Sequence, residues 1–247
     1  MRLHGARVLL TGAEGGIGRV LAPLLADRGA HLILSGLDAE SLAAQAAALE
    51  CRYLPWALDS TADAFALGER AGPVDVVIHG AGIGQRGRVE DLTAERIDEV
   101  MSLDLAVPVA LTCAVLPHML ARGSGHVSFL GSVAGQVPVA QEAAYAGAKG
   151  GLAVFADSLR LEMAGRGVEV SVLAPAAVDT DFFRRRGVVY HRSRPAPMPP
   201  QRVASAIVRA VESGTPLTVV PAWMTAAVRV RGVAPRLYDR LAHRFDR

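Results

Sequence analysis

Thr11-Gly-Ala-Glu-Gly-Gly-Ile-Gly18 is the stretch from which the architecture of this chain is read. In front of it, Arg7–Thr11 is a short apolar run with the composition of a buried strand; behind it, Ile17–Arg28 has helical spacing and stops at Gly29. A strand that turns through glycines directly into a helix forms an anion site. Glycine lets the backbone turn tightly and approach a phosphate, and the N–H groups and dipole at the helix start attract negative charge. Gly12, Gly16 and Gly18 are spaced Gly-x-x-x-Gly-x-Gly, which differs from the Gly-x-Gly-x-x-Gly of the common dinucleotide fingerprint. A tight turn alone would use the same glycines; the position after the first strand of a βα series favours the phosphate reading.

The series continues along the chain. Apolar runs at His31–Leu34, Arg52–Ala57, Val74–His79, His126–Leu130, Val168–Ala174 and Thr218–Pro221 read as further strands. Between them, Ala39–Leu49 (capped by Asp38), Thr61–Arg70, Ala94–Ala121, Ala143–Gly165 and Gln201–Ser213 (entered through Pro199 and Pro200) read as helices. Alternation of this kind predicts a doubly wound, Rossmann-type α/β domain, with a parallel sheet of about seven strands and helices on both faces. A single domain over residues 1–247 is expected, with an irregular segment from Pro175 to Pro200 of the length of a lid.

Composition narrows the function classes. Of 247 residues, 51% are hydrophobic and 20% charged, and the formal charge is +2, so no whole-chain field points to nucleic acid. Cys51 and Cys113 stand far apart without histidine or cysteine at metal spacing, which suggests neither a disulfide framework nor a metal site; both are expected to be buried thiols. No signal segment is legible and no apolar run reaches the roughly 20 residues that span a bilayer, so a cytoplasmic protein is expected. The basic residues are 25 arginines and one lysine, Lys149, and asparagine is absent.

That lysine lies four residues after Tyr145 in a predicted helix, on the same face. A free phenol ionises at about 10, and a nearby ammonium favours the phenolate, so the spacing predicts a tyrosine whose proton is easily exchanged. An incidental surface pair would accept arginine, which dominates elsewhere; a compact, flexible ammonium suits a site where two hydroxyl groups must be reached together. Ser132 follows the fifth strand, at the carboxyl edge of the sheet where open α/β folds bind ligands, and is placed to hold a substrate oxygen. This set suits proton transfer at Tyr145 while hydride moves between a carbon and a nicotinamide. At the end of the second strand, Ser35-Gly-Leu-Asp38 has neither the acid that favours NAD nor the arginine that favours NADP. Glu14 disfavours an extra phosphate, which tilts the choice between NAD and NADP slightly to NAD. Asp59 either bonds an adenine edge or caps the helix that begins near Thr61.

With these motifs the chain resembles the short-chain dehydrogenase/reductase family over essentially its whole length: Thr11-Gly-x-x-x-Gly-Ile-Gly18, Ser132 thirteen residues before Tyr145, Tyr-x-x-x-Lys149, and Pro175-x-x-Val178-x-Thr180. The resemblance implies Ser132, Tyr145 and Lys149 as the catalytic set, Lys149 on the nicotinamide ribose, and Val178 and Thr180 near the carboxamide. It also implies a homo-oligomer, dimer or tetramer, packed through two long helices. Where the family usually has Asn-Asn-Ala-Gly this chain has His79-Gly-Ala81-Gly82, with the backbone role of Ala81 and Gly82 retained. Asp104 stands where the family often has the asparagine of a proton relay, and its charge is expected to compete for Lys149. Ala176 replaces a common glycine.

The lid near 180–200 holds Phe182, Phe183, Arg184, Arg185, Arg186, His191, Arg192 and Arg194. These suit either a solvated loop or an apolar pocket with a handle for an anionic group such as a thioester carrier. The tail 222–247 carries a local charge of +4 and sets Leu237, Leu241 and Phe245 beside Arg236, Arg240 and Arg244. Such a helix packs over the pocket or against a neighbouring subunit, or lies on an anionic membrane surface. The function expected is an NAD(P)-dependent oxidoreductase on an apolar or acyl-type ketone or secondary alcohol. The alternative is a cofactor-binding sensor or scaffold without turnover.

Overall fold

The computed structural model describes residues 1–187 and 196–245; of residues 241 and 243–245 only the backbone is described. His191, Arg192 and Arg194, named above for the lid, lie outside the described residues. The strands are β1 (Arg7–Thr11), β2 (His31–Gly36), β3 (Arg52–Pro55), β4 (Val76–His79), β5 (Gly125–Leu130), β6 (Val168–Pro175) and β7 (Leu217–Val220). The helices are α1 (Gly18–Ala26), α2 (Ala39–Ala48), α3 (Thr61–Ala71), α4 (Ala94–Met101), α5 (Val107–Arg122), α6 (Ala143–Glu162), α7 (Phe182–Arg185), α8 (Pro200–Ser213), α9 (Met224–Val233) and α10 (Pro235–Phe245). The strands form a parallel sheet in the order β3-β2-β1-β4-β5-β6-β7, as the alternating pattern requires.

Successive residues of β1 feed opposite faces, because side chains alternate along a strand. Leu10 joins Leu21, Leu25, Leu34 and Ile207 in a core beneath α1, α2 and α8. Leu9 joins Leu67, Leu111, Met119, Phe129 and Leu152 in a second core beneath α3, α5 and α6. The chain reverses its winding between β1, which pairs with β2 on one side, and β4 on the other. At that switch the loops leaving β1 and β4 diverge and open a crevice at the carboxyl edge of the sheet.

Local expectations hold with three adjustments. Asp38 caps α2 by accepting from the Ser41 N–H at 3.0 Å. Asp59 does not cap α3: Ser60 does, accepting from the Asp63 N–H at 3.2 Å. The helix expected from Ala94 to Ala121 is interrupted by a π-turn at Ser102–Ala106, which brings Asp104 into the interior. Taken together, Ala94–Arg122 is long and apolar enough to cross a membrane, contrary to the expectation from composition. In the fold, Val107, Leu111, Val115 and Met119 from this stretch pack into the second core.

Neither cysteine is buried. Cys113 is exposed on α5, and Cys51 is half-buried, its thiol raised above the usual range by burial.

Candidate active site

The glycine turn, the β4 loop, the end of β5 and the start of α6 converge on a cleft of about 1270 Å³. Close backbone approach explains the glycines. At Gly12, φ is +66°, and a Cβ would lie 2.8 Å from the Ala81 nitrogen and the Gly80 carbonyl. A Cβ on Gly16 would run into the Thr180 side chain, which brings the turn against the segment after β6. Thr11 Oγ1 accepts from the N–H groups of Gly80 and Ala81 at 3.1 and 3.2 Å, tying the two loops together. Thr11, Gly12, Gly16, Ala81 and Thr180 thus come together at one edge of the cleft. Glu14, Ile17, Gly18, Asp59, Gly82, Pro175 and Val178 line the same cleft. Backbone pairing of Val178 with Met198 brings the far side of the lid segment back to the sheet edge.

Ser132, Tyr145 and Lys149 also line the cleft. Ser132 follows β5, where its Oγ accepts from the Ala134 N–H at 3.1 Å, and its hydroxyl favours ionisation of the Tyr145 phenol. Lys149 Nζ lies 5.9 Å from the Tyr145 ring centroid, so the two face the same way, and it donates to the Leu130 carbonyl at 3.2 Å.

The electrostatics correct one expectation. The phenol is pushed above its ordinary value, not below it: burial is the main cause, and the charge of Asp104 adds to it while Ser132 opposes. Asp104 itself is fully buried, with Oδ1 3.0 Å from Lys149 Nζ. Burial raises its carboxyl, while Lys149, the Ile83 N–H and Arg96 pull the other way. The competition for Lys149 expected at this position is therefore a direct ion pair.

Beside the set, His79 stacks on Phe129 with ring centroids 4.8 Å apart, and its Nε2 meets Thr112 Oγ1 at 3.0 Å. Burial lowers it to about 3, so it is neutral; it supports the β4 loop from behind.

The lid residues named from the sequence meet partners that the sequence did not show, and part of the cleft wall lay beyond sequence reasoning. Arg186 of the lid pairs with Glu142 at 2.8 Å, and its guanidinium packs 4.5 Å from the Phe183 ring centroid. Arg184 pairs with Asp181, leaving Arg185 as the arginine of this helix that lines the cleft. Met224, Ala227 and Val230 of α9 and Tyr238 of α10 form another wall. Tyr238 Oη donates to the Pro138 carbonyl at 3.0 Å, so the tail packs over the pocket, one of the placements expected for it. Among the described residues no group of three or more His, Cys, Asp or Glu is arranged to hold a metal ion.

Comparison with known proteins agrees with this geometry. The family model described as short chain dehydrogenase matches residues 6–188. The chain is 32% identical to a ketoacyl reductase, HetN, of Nostoc sp., over 88% of this chain and 79% of the relative. It is 33% identical to dehydrogenase/reductase SDR family member 7B of Danio rerio, over 95% and 83%. Among solved structures, a short-chain dehydrogenase from Sphingobium yanoikuyae in complex with NADPH superposes with a TM-score of 0.85 at 28% identity, covering 94% of this chain and 93% of that one. A short chain dehydrogenase/reductase from Burkholderia phymatum in complex with NAD has the same fold, with a TM-score of 0.86 at 21% identity, covering 96% of each chain. With its motifs, its sheet order and these matches in agreement, the chain belongs to the short-chain dehydrogenase/reductase family.

Proposed function

We propose that this protein is a nicotinamide-dependent oxidoreductase that interconverts a bulky, largely apolar ketone and its secondary alcohol, with Tyr145 exchanging the hydroxyl proton. The observation that carries the reading is the convergence of Ser132, the Tyr145 phenol and the Lys149 ammonium in the cleft that the glycine turn opens. The residues fit a dinucleotide: positions 12 and 16 exclude side chains where three loops approach one another, and the start of α1 suits a pyrophosphate. A bound nicotinamide supplies or removes the hydride at the reacting carbon.

The chain's own residues do the rest. Ser132 orients the carbonyl oxygen by donating to it, and Tyr145 gives that oxygen its proton during reduction or takes it back during oxidation. Lys149, on the same helix face, is placed to hold ribose hydroxyls beside the phenol. The apolar wall from α9, α10 and the phenylalanines of α7 excludes water and favours a large substrate. The name of the Nostoc relative supports an acyl-type ketone and the reductive direction.

Glu14, turned over the end of β2, supports NAD over NADP. Exposed Val154 and Leu161 on α6 support packing between copies of the chain, which light scattering would test.

Fluorescence titration with NADH and NADPH, followed by a ketone and alcohol panel, tests the reading. Tyr145→Phe is expected to keep cofactor binding and to lose about 10²–10⁴-fold in kcat/KM. Turnover that survives the substitution would overturn the proposal; no turnover by the unaltered protein on any member of the panel would favour a cofactor-binding scaffold instead.

A further inference from the structure

Asp104 is the residue of the site whose chemistry the reaction does not by itself require. It sits on the π-turn between α4 and α5, its side chain is 0% exposed, and the carboxylate is held from two directions. Oδ1 accepts from the Ile83 N–H at 3.3 Å and lies 3.0 Å from Lys149 Nζ, while Oδ2 is buried without a hydrogen-bond partner. Gly82 makes room for this: a Cβ there would come within 2.6 Å of Oδ1 and 3.3 Å of Nζ.

The groups that face the phenol come from every neighbouring element. Lys149 lies one turn along α6, Glu142 stands at the start of α6, Arg186 reaches over from the lid, and Ser132 follows β5. Glu142 and Arg186 pair with each other at 2.8 Å and largely cancel. His79, behind the β4 loop, is neutral, and Arg96 of α4 faces Asp104. Beside burial, which is the larger cause, what remains to bias the phenol is the ammonium on one side and the carboxylate that neutralises it on the other.

We propose that Asp104 is a positioning residue that, by engaging Lys149 in a buried ion pair, keeps Tyr145 in its protonated form through neutral and mildly alkaline pH, so that the site stands ready as a proton donor for carbonyl reduction. This rests on the reading of Tyr145 as the proton-exchanging group. In the reductive step the carbonyl carbon gains a hydride from the reduced nicotinamide. The C=O π pair moves to oxygen, the phenol O–H bond breaks to protonate that oxygen, and the phenolate recovers a proton from solvent. Asp104 leaves the overall equilibrium untouched; it sets the pH range in which each direction runs. In oxidation the phenolate is the competent form, so that direction gains rate only as the pH rises.

The test is Asp104→Asn, nearly isosteric and uncharged, read by pH profiles of kcat/KM in both directions and by ultraviolet phenolate titration with Tyr145→Phe as the blank. In the variant, the alkaline fall of reduction, the plateau of oxidation and the Tyr145 titration are all expected to move about one pH unit or more toward acid. Asp104→Ser repeats the comparison with a smaller side chain. Unmoved profiles and an unmoved titration would overturn the inference, as would a Tyr145 in the unaltered protein that ionises well below the free-phenol value of about 10. Retained turnover in Tyr145→Phe would instead remove the functional reading on which it stands, so the two failures are distinguishable.

Discussion

The carboxylate of Glu14 occupies the space that a side chain at Gly36 would fill. Its Oε1 accepts from the Leu37 N–H at 2.8 Å, and its Oε2 is buried without a hydrogen-bond partner. Gly36 and Leu37 line the cleft at the end of β2, the corner in which this fold reads the adenosine ribose. An acceptor oxygen there welcomes a ribose hydroxyl and repels a phosphate. Glu14→Ser is therefore expected to improve NADPH affinity relative to NADH by about tenfold, the equivalent of ~1.4 kcal/mol, read as the ratio of dissociation constants from fluorescence titration. An unchanged ratio would remove Glu14 from cofactor choice.

Lys149 and Asp104 are a buried pair, and a pair of this kind is more costly to break than to replace. Lys149→Met leaves the carboxylate without its counter-charge and is expected to lower unfolding free energy by about 3–5 kcal/mol. Adding Asp104→Asn to that variant should recover most of the loss, since the charge itself is gone. Urea denaturation of the two single variants and the double variant gives the cycle; additive losses would show that the pair does not act as a unit.

Two buried histidines make the fold acid-sensitive. Burial lowers His79 to about 3 and His126 to about 4, the latter with its Nε2 2.8 Å from Ser171 Oγ and its ring partly supported by Glu169. In the unfolded chain each takes up a proton near pH 6.5, while the folded chain does not, so the stability they leave intact above that pH declines as the pH falls toward the folded values. Going from about pH 8 to about pH 5, each is expected to remove roughly 2 kcal/mol. Urea midpoints measured across this range check the slope, and His126→Gln should flatten it.

Val230 projects from α9 into the cleft wall, on the segment that Tyr238 ties to Pro138. Val230→Trp is expected to raise KM for a bulky ketone by roughly tenfold and to leave a small ketone nearly unaffected, within the range that a change of pocket volume supports. Equal effects on both substrates would show that α9 does not wall the substrate.

Much of this was legible without coordinates, and for a physical reason. The strands and helices follow from apolar periodicity, and the glycine turn and the Asp38 cap from the chemistry of residues adjacent in the chain. The pairing of Tyr145 with Lys149 follows from helical spacing alone. The ends of elements shifted by a few residues where packing chose a neighbouring cap, as Ser60 did over Asp59.

Signs of electrostatic effects were not legible in the same way. Read along the chain, Lys149 one turn away dominates the expectation for Tyr145, and the expected shift is downward; in the fold, burial and the Asp104 carboxylate, delivered by a π-turn, reverse it. The wall built by α9 and α10 and the exposure of Cys113 likewise depend on what packs against what. The sequence alone determined the layout, because backbone conformation and face periodicity are set by near neighbours. Only the tertiary structure decided the protonation chemistry and the pocket, because charge environment and burial depend on groups that are distant in the chain and adjacent only after folding.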